Sequence, residues 1–98
     1  MKIRIADRFY TVEFVEPEDC EAEGIHGWCD FDDCAICIKR GMDGIRTRDV
    51  MLHEVMHGLW HEHGFPARQP EEETVTFMAR ALSAFFTANK GFTREYLM

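Results

Sequence analysis

The chain has 98 residues, 46% of them hydrophobic and 30% charged, and a formal net charge of −7. This length builds one core, so residues 1–98 are read as a single domain. The negative charge repels a phosphate backbone and argues against a nucleic-acid partner, and no apolar run reaches the roughly 18 residues that a membrane span needs.

The opening stretch MKIRIADRFY holds no continuous apolar segment of the secretory type, which makes the cytoplasm the expected compartment. KIRI alternates, AD offers a turn, and FYTVEFV continues with aromatic and β-branched residues, so two short strands are expected. From Glu16 to Asp33 the chain carries eight acidic residues, Pro17, Gly24 and Gly27 with little periodicity, and reads as a surface loop. Its carboxylates lack the spacing of a calcium loop. CAICIK alternates and is β-branched, which makes it the third strand.

Cys20, Cys29, Cys34 and Cys37 are expected to be reduced thiols in a chain without an export signal. The gap in CAIC matches a metal knuckle, but strand alternation sends Cys34 and Ile36 to one face and Cys37 to the other. A second, cysteine-rich zinc site would need Cys29 or His26 as well. KRGMDGIRTR is the one basic stretch; it lacks aromatic residues for base stacking and reads as solvated turn and helix charge.

Next comes a long amphipathic helix. Asp43 is its N-cap, Leu52, Val55, Met56 and Leu59 recur at helical spacing, and Gly64 with Pro66 stops it. FPARQ is a loop. PEEETVTFMARALSAFFTANKG is a second helix, with Pro70 at its first position, three glutamates in the first turn, a buried stripe of Val75, Met78, Ala79, Leu82, Phe85 and Phe86, and an end at Asn89–Gly91. FTREYLM is a short tail.

The first helix carries the chemistry. LHEVMHGLWHEHG holds four of the five histidines. His53 and His57 stand four residues apart, one turn along and about 40° round the axis, so two ring nitrogens can converge on one zinc ion at about 2.1 Å each. Glu54 points beside that ion, where it can accept a proton from a water. This H-E-x-x-H pattern provides two metal ligands and a base, which is what a metallopeptidase needs to open a peptide bond in a protein or peptide substrate.

A third ligand has to come from elsewhere. His63 completes a three-histidine spacing that metzincin proteases and a family of rRNA-processing endonucleases share, but Trp60 stands where those chains break the helix with glycine, and a helix that continues turns His63 away. His61 follows His57 by one turn, too far along the axis to share the ion. The first turn of the second helix offers Glu71, Glu72 and Glu73. Glu72 is in register with Val75 and Ala79 and is taken to point inward, Glu73 is in line with Phe77 and Arg80 on the flank, and the ordinary role of first-turn glutamates is to meet the helix dipole. His61, Tyr96, Tyr10 and His26 are the candidates for stabilising an oxyanion.

MLHEVMHGLW, the preceding IKRGMD and the following EEETVTFMARALSAFFTANKGF together resemble small phage and prophage metallopeptidase-like proteins, whose broader relatives are the ImmA/IrrE-type zinc peptidases. The resemblance covers most of the chain. It implies an α+β fold of minimal zincin type, about three strands in a small antiparallel or mixed sheet packed on two long helices. It also implies zinc on His53 and His57, Glu54 as catalytic glutamate, and Glu72 or a neighbour as the acidic ligand. Characterised relatives cleave or regulate repressors, so a protein substrate is implied. A non-catalytic zinc-binding interaction module and a three-histidine metal-dependent RNA nuclease are the alternative readings. The oligomeric state is not legible in the sequence.

Overall fold

The computed structural model describes residues 1–20, 24–64, 70–88, 90–91 and 94. Strand β1 spans Lys2–Ile5 and pairs antiparallel with β2, Arg8–Val15. The stretch read as a loop contains a strand: β3, Gly27–Asp30, pairs antiparallel with β4, Ala35–Lys39, and β4 runs parallel to β2. The sheet is therefore mixed and has four strands in the order β1-β2-β4-β3, rather than three. β3 has little strand propensity of its own, and its hydrogen-bond partners on β4 create it. Asp30 turns the chain into β4: its Oδ1 accepts the backbone N–H groups of Asp32 and Asp33, each at 3.0 Å.

Register decides which side of the sheet is covered. Val12, Ile36 and Cys29 lie in one row and Phe14, Ile38 and Gly27 in the next. Together with Ile5 and Tyr10, the residues Val12, Ile36 and Ile38 form the core, against which Val50, Met51, Val55 and Leu59 pack. Cys37 points to the opposite face of β4, as alternation requires, whereas Cys34 precedes the strand in a turn at φ 51°. All four thiols are free.

Helix α1 spans Gly44–Glu62. The Asp43 carboxylate accepts the Arg46 N–H at 2.8 Å, and Gly64 at φ 66° follows the last turn. The helix is rotated relative to the expected stripe: its buried residues are Glu54 and Gly58, while Leu52 and Met56 are half-buried outside the core cluster. Gly58 explains the rotation. A Cβ there would lie 2.8 Å from Ile5 Cδ1, so the glycine lets α1 approach the sheet closely at this point.

Helix α2 spans Glu71–Ala88. Pro70 lies just before it, where its carbonyl accepts the Thr74 N–H at 3.0 Å. The helix runs antiparallel to α1, since Arg48 Nε donates to Ser83 Oγ at 3.2 Å near one end and His57 meets Glu71 near the other. Val75, Ala79 and Ser83 form its buried line. Met78, expected in that line, is 44% exposed because 75, 79 and 83 recur at four-residue intervals and leave it to one side. Leu82 and Phe86 are half-buried. The expected loop at 65–69, the side chain of Phe85, the helix end at Asn89 and most of the tail lie outside the described residues. Among the described residues no helix is long and apolar enough to cross a membrane.

Candidate metal centre

One helical turn separates His53 from His57, and their ring centroids stand 4.9 Å apart. The two Nε2 atoms face each other at 3.2 Å. The first turn of α2 lies across them. Glu72 Oε1 is 3.0 Å from His53 Nε2, and Oε2 is 2.8 Å from His57 Nε2. One ligand atom from each residue lies within 4.8 Å of the other two, and this is the only such group of three or more among the described residues. A tetrahedral zinc ion with bonds of 2.0–2.1 Å holds its ligand atoms about 3.3 Å apart. The observed triangle is close to one face of that tetrahedron, and two imidazoles with a carboxylate are a donor set that zinc accepts. Glu72 does not point inward as expected from its register: its side chain is 69% exposed and reaches the histidines from the rim.

Glu71 has a separate role that helix-dipole reasoning misses. Its Oε2 lies 2.7 Å from His57 Nδ1. With Nδ1 donating to this carboxylate, the Nε2 lone pair would be available to a metal ion at the centre. A carboxylate behind a ligating histidine fixes both tautomer and ring orientation. Its position beside Glu72 is the one trace of this role in the sequence. Glu73 is exposed and does not join the group.

Glu54 follows His53 in sequence but points to the sheet side and is only 8% exposed. Burial pushes its carboxyl up to about 7, with His57 opposing the rise and Glu72 adding to it. A carboxyl poised near neutrality is suited to taking and returning a proton. Burial also raises the Cys29 thiol to about 12, and Glu54 adds to that, which disfavours the thiolate a metal would need. No cysteine joins a metal-ligating group among the described residues, so the second zinc site weighed above finds no support.

The remaining histidines separate by position. His61 stacks on Phe31, with centroids 4.2 Å apart, and His63 caps α1 through an N–H bond to the Leu59 carbonyl at 3.0 Å. Neither enters the ligand group. Tyr10 is fully buried and its hydroxyl donates to Glu62 at 2.6 Å, which removes it as an oxyanion stabiliser. Tyr96 lies outside the described residues. His26 lines the cleft, where its Nε2 meets Arg46 Nη2 at 2.9 Å.

Two hollows, of about 600 Å³ and 370 Å³, meet at Gly27, His53 and Glu54. β3 lies along the smaller one and touches the larger at Gly27, and no strand lies beyond it among the described residues. The candidate centre lies in the smaller hollow, whose lining includes His53, His57 and Glu72, and His53 also borders the larger one.

Compared with protein-family models, curated proteins and solved structures, the chain matches none.

Proposed function

We propose that this domain is a zinc-dependent metallopeptidase of minimal zincin type, with His53, His57 and Glu72 as metal ligands and Glu54 as general base. The observation that carries this reading is the triangle of two Nε2 atoms and the Glu72 carboxylate at 2.8–3.2 Å, with buried Glu54 next to it. Zinc bound there would supply Lewis acidity, polarising the scissile carbonyl and acidifying a water.

The protein's own groups do the rest. Glu71 holds the His57 ring with its Nε2 lone pair toward the centre. Glu54 accepts a proton as water oxygen bonds to the peptide carbon, then delivers it to the nitrogen as the C–N bond breaks. β3, an edge strand, can accept an extended peptide as a further strand, which lays the substrate across the centre. The free thiols suit a reducing compartment, in keeping with a cytoplasmic domain. The resemblance to ImmA/IrrE-type peptidases points to the same chemistry.

The test is Glu54→Gln in zinc-loaded protein. Zinc stays bound at wild-type stoichiometry and hydrolysis of a peptide mixture falls by two orders of magnitude or more, roughly the weight of general acid–base catalysis. Undiminished hydrolysis would remove Glu54 as the base, and a protein that takes up no zinc would end the metallopeptidase reading.

A further inference from the structure

The larger hollow carries positive charge that the fold does not use. Arg46 of α1 and Arg80 of α2 both line it, and neither forms an ion pair among the described residues. Among the described residues the Arg46 guanidinium donates to His26 Nε2, and Arg80 is exposed. Asp49 also lines the hollow, but its carboxylate takes the Ser83 hydroxyl, and Ser83 Oγ in turn accepts from Arg48 Nε at 3.2 Å. Asp49 is thereby tied into the contact between the two helices through Ser83. Two guanidiniums remain facing the cleft in a chain with 18 acidic and 11 basic residues.

We propose that Arg46 and Arg80 form a subsite for a carboxylate side chain of the peptide substrate. This inference rests on the peptidase reading and adds a substrate class to it. α1 and α2 are antiparallel, so Arg46, before His53 on α1, and Arg80, beyond Glu72 on α2, lie on the same side of the centre. Seven helical residues from His53 to Arg46 span about 10 Å along the axis. An extended peptide covers that distance in about three residues. The favoured aspartate or glutamate is therefore two or three residues from the scissile bond. The other hollow holds the candidate centre, with Trp28 and Phe31 in its wall beside His57, Glu71 and Glu72.

The net charge of −7 does not oppose this selection. Exposed charges more than about 8 Å away are largely screened at physiological ionic strength, whereas a guanidinium in direct contact pairs with a carboxylate through two hydrogen bonds. The local pair therefore outweighs the global sign.

The experiment uses the full chain carrying Glu54→Gln, so that peptides bind without turnover. Fluorescein-labelled alanine–glycine decapeptides, each with one aspartate stepped along the frame, are compared by anisotropy with asparagine twins, with and without zinc. Aspartate peptides bind about tenfold tighter, the loss expected when a charged hydrogen-bond partner is removed. Adding Arg46→Gln or Arg80→Gln shrinks that ratio, and Arg46→Glu with Arg80→Glu turns the preference toward lysine peptides, with circular dichroism verifying the fold of each variant. Equal binding of aspartate and asparagine peptides overturns the subsite and leaves the peptidase reading standing if Glu54-dependent hydrolysis is observed. An aspartate preference that follows the arginines in a protein that neither takes up zinc nor cleaves peptides retains the carboxylate site and overturns the peptidase reading.

Discussion

Glu71 Oε2 lies 2.7 Å from Nδ1 of His57, behind the ring, while Glu72, its neighbour in sequence, meets the same ring from the front at Nε2. Two consecutive glutamates of one helical turn thus clasp one imidazole from both sides. In the proposed centre the front contact would supply a ligand atom, and the rear one would set where the lone pair points.

That division predicts a graded response to mutation. Glu71→Gln keeps the side-chain length but weakens the hold on Nδ1, and zinc affinity measured by chelator competition falls about 10- to 100-fold. Glu72→Ala removes a ligand and lowers affinity further. Glu73→Ala leaves it unchanged. Equal effects at all three positions would mean that the turn acts only through its summed charge.

Metal removal is expected to lower stability. An ion that binds the folded chain alone stabilises it by about 2.7 kcal/mol at a free concentration 100 times its dissociation constant. Zinc added to metal-free protein should raise the unfolding midpoint in differential scanning calorimetry, and a chelator should reverse the gain. In His53→Ala, with one corner of the triangle gone, the midpoint should barely respond to zinc.

Two glycines set how closely the layers approach. A Cβ on Gly27 would meet the Cys37 carbonyl oxygen and Val50 Cγ1, both at 2.8 Å, and the first of these is backbone of a central strand. A Cβ on Gly58 would meet Ile5 Cδ1 at 2.8 Å, the far end of a side chain. Overpacking costs about 1–3 kcal/mol, and alanine gains about 1 kcal/mol over glycine inside a helix. Gly58→Ala is therefore expected to fall within about 1 kcal/mol of the parent, with Gly27→Ala worse by about 2 kcal/mol or more, both by urea unfolding. Equal losses would show that helix–sheet distance, not strand backbone, limits both sites.

Acid should weaken the junction between β2 and the end of α1. Glu62 accepts the Tyr10 hydroxyl at 2.6 Å and an Arg8 N–H at 3.1 Å. The Tyr10 hydrogen bond and the Arg8 charge hold its carboxyl below the ordinary 4.5, against a smaller opposing effect of burial. A group depressed in the folded state stabilises above its unfolded value, and that contribution disappears as pH falls through the folded one. Glu62→Gln should therefore lower the unfolding midpoint at pH 7, and the gap to the parent should close below about pH 4. A gap of constant size from pH 7 to pH 3 would mean that Glu62 acts by packing rather than charge.

Much of the site was legible locally. The four-residue spacing of His53 and His57 makes them neighbours on any helix, and Asp43 and Gly64 mark that helix's ends through cap chemistry contained in a few adjacent residues. Glu72 was reached by a phase argument, yet its carboxylate meets the histidines from the exposed rim rather than from the buried line that suggested it. The apolar stripe of α1 was placed slightly off, because periodicity gives the width of a stripe and not the docking angle that Gly58 permits.

From its own order of residues the chain determined the short-range features: α1 with its paired imidazoles, the alternating strands β1, β2 and β4, and a first turn of α2 rich in carboxylates. These depend on backbone periods of 3.6 and 2 and on neighbours within about one turn. Only the tertiary structure decided that GWCD is a strand, that Glu71 meets Nδ1 of His57 while Glu72 completes the triangle, that Glu54 is buried, and that Arg46 and Arg80 share one hollow. Each of these depends on the docking of elements distant along the chain, where a change of an ångström or of one strand's pairing changes which atoms meet.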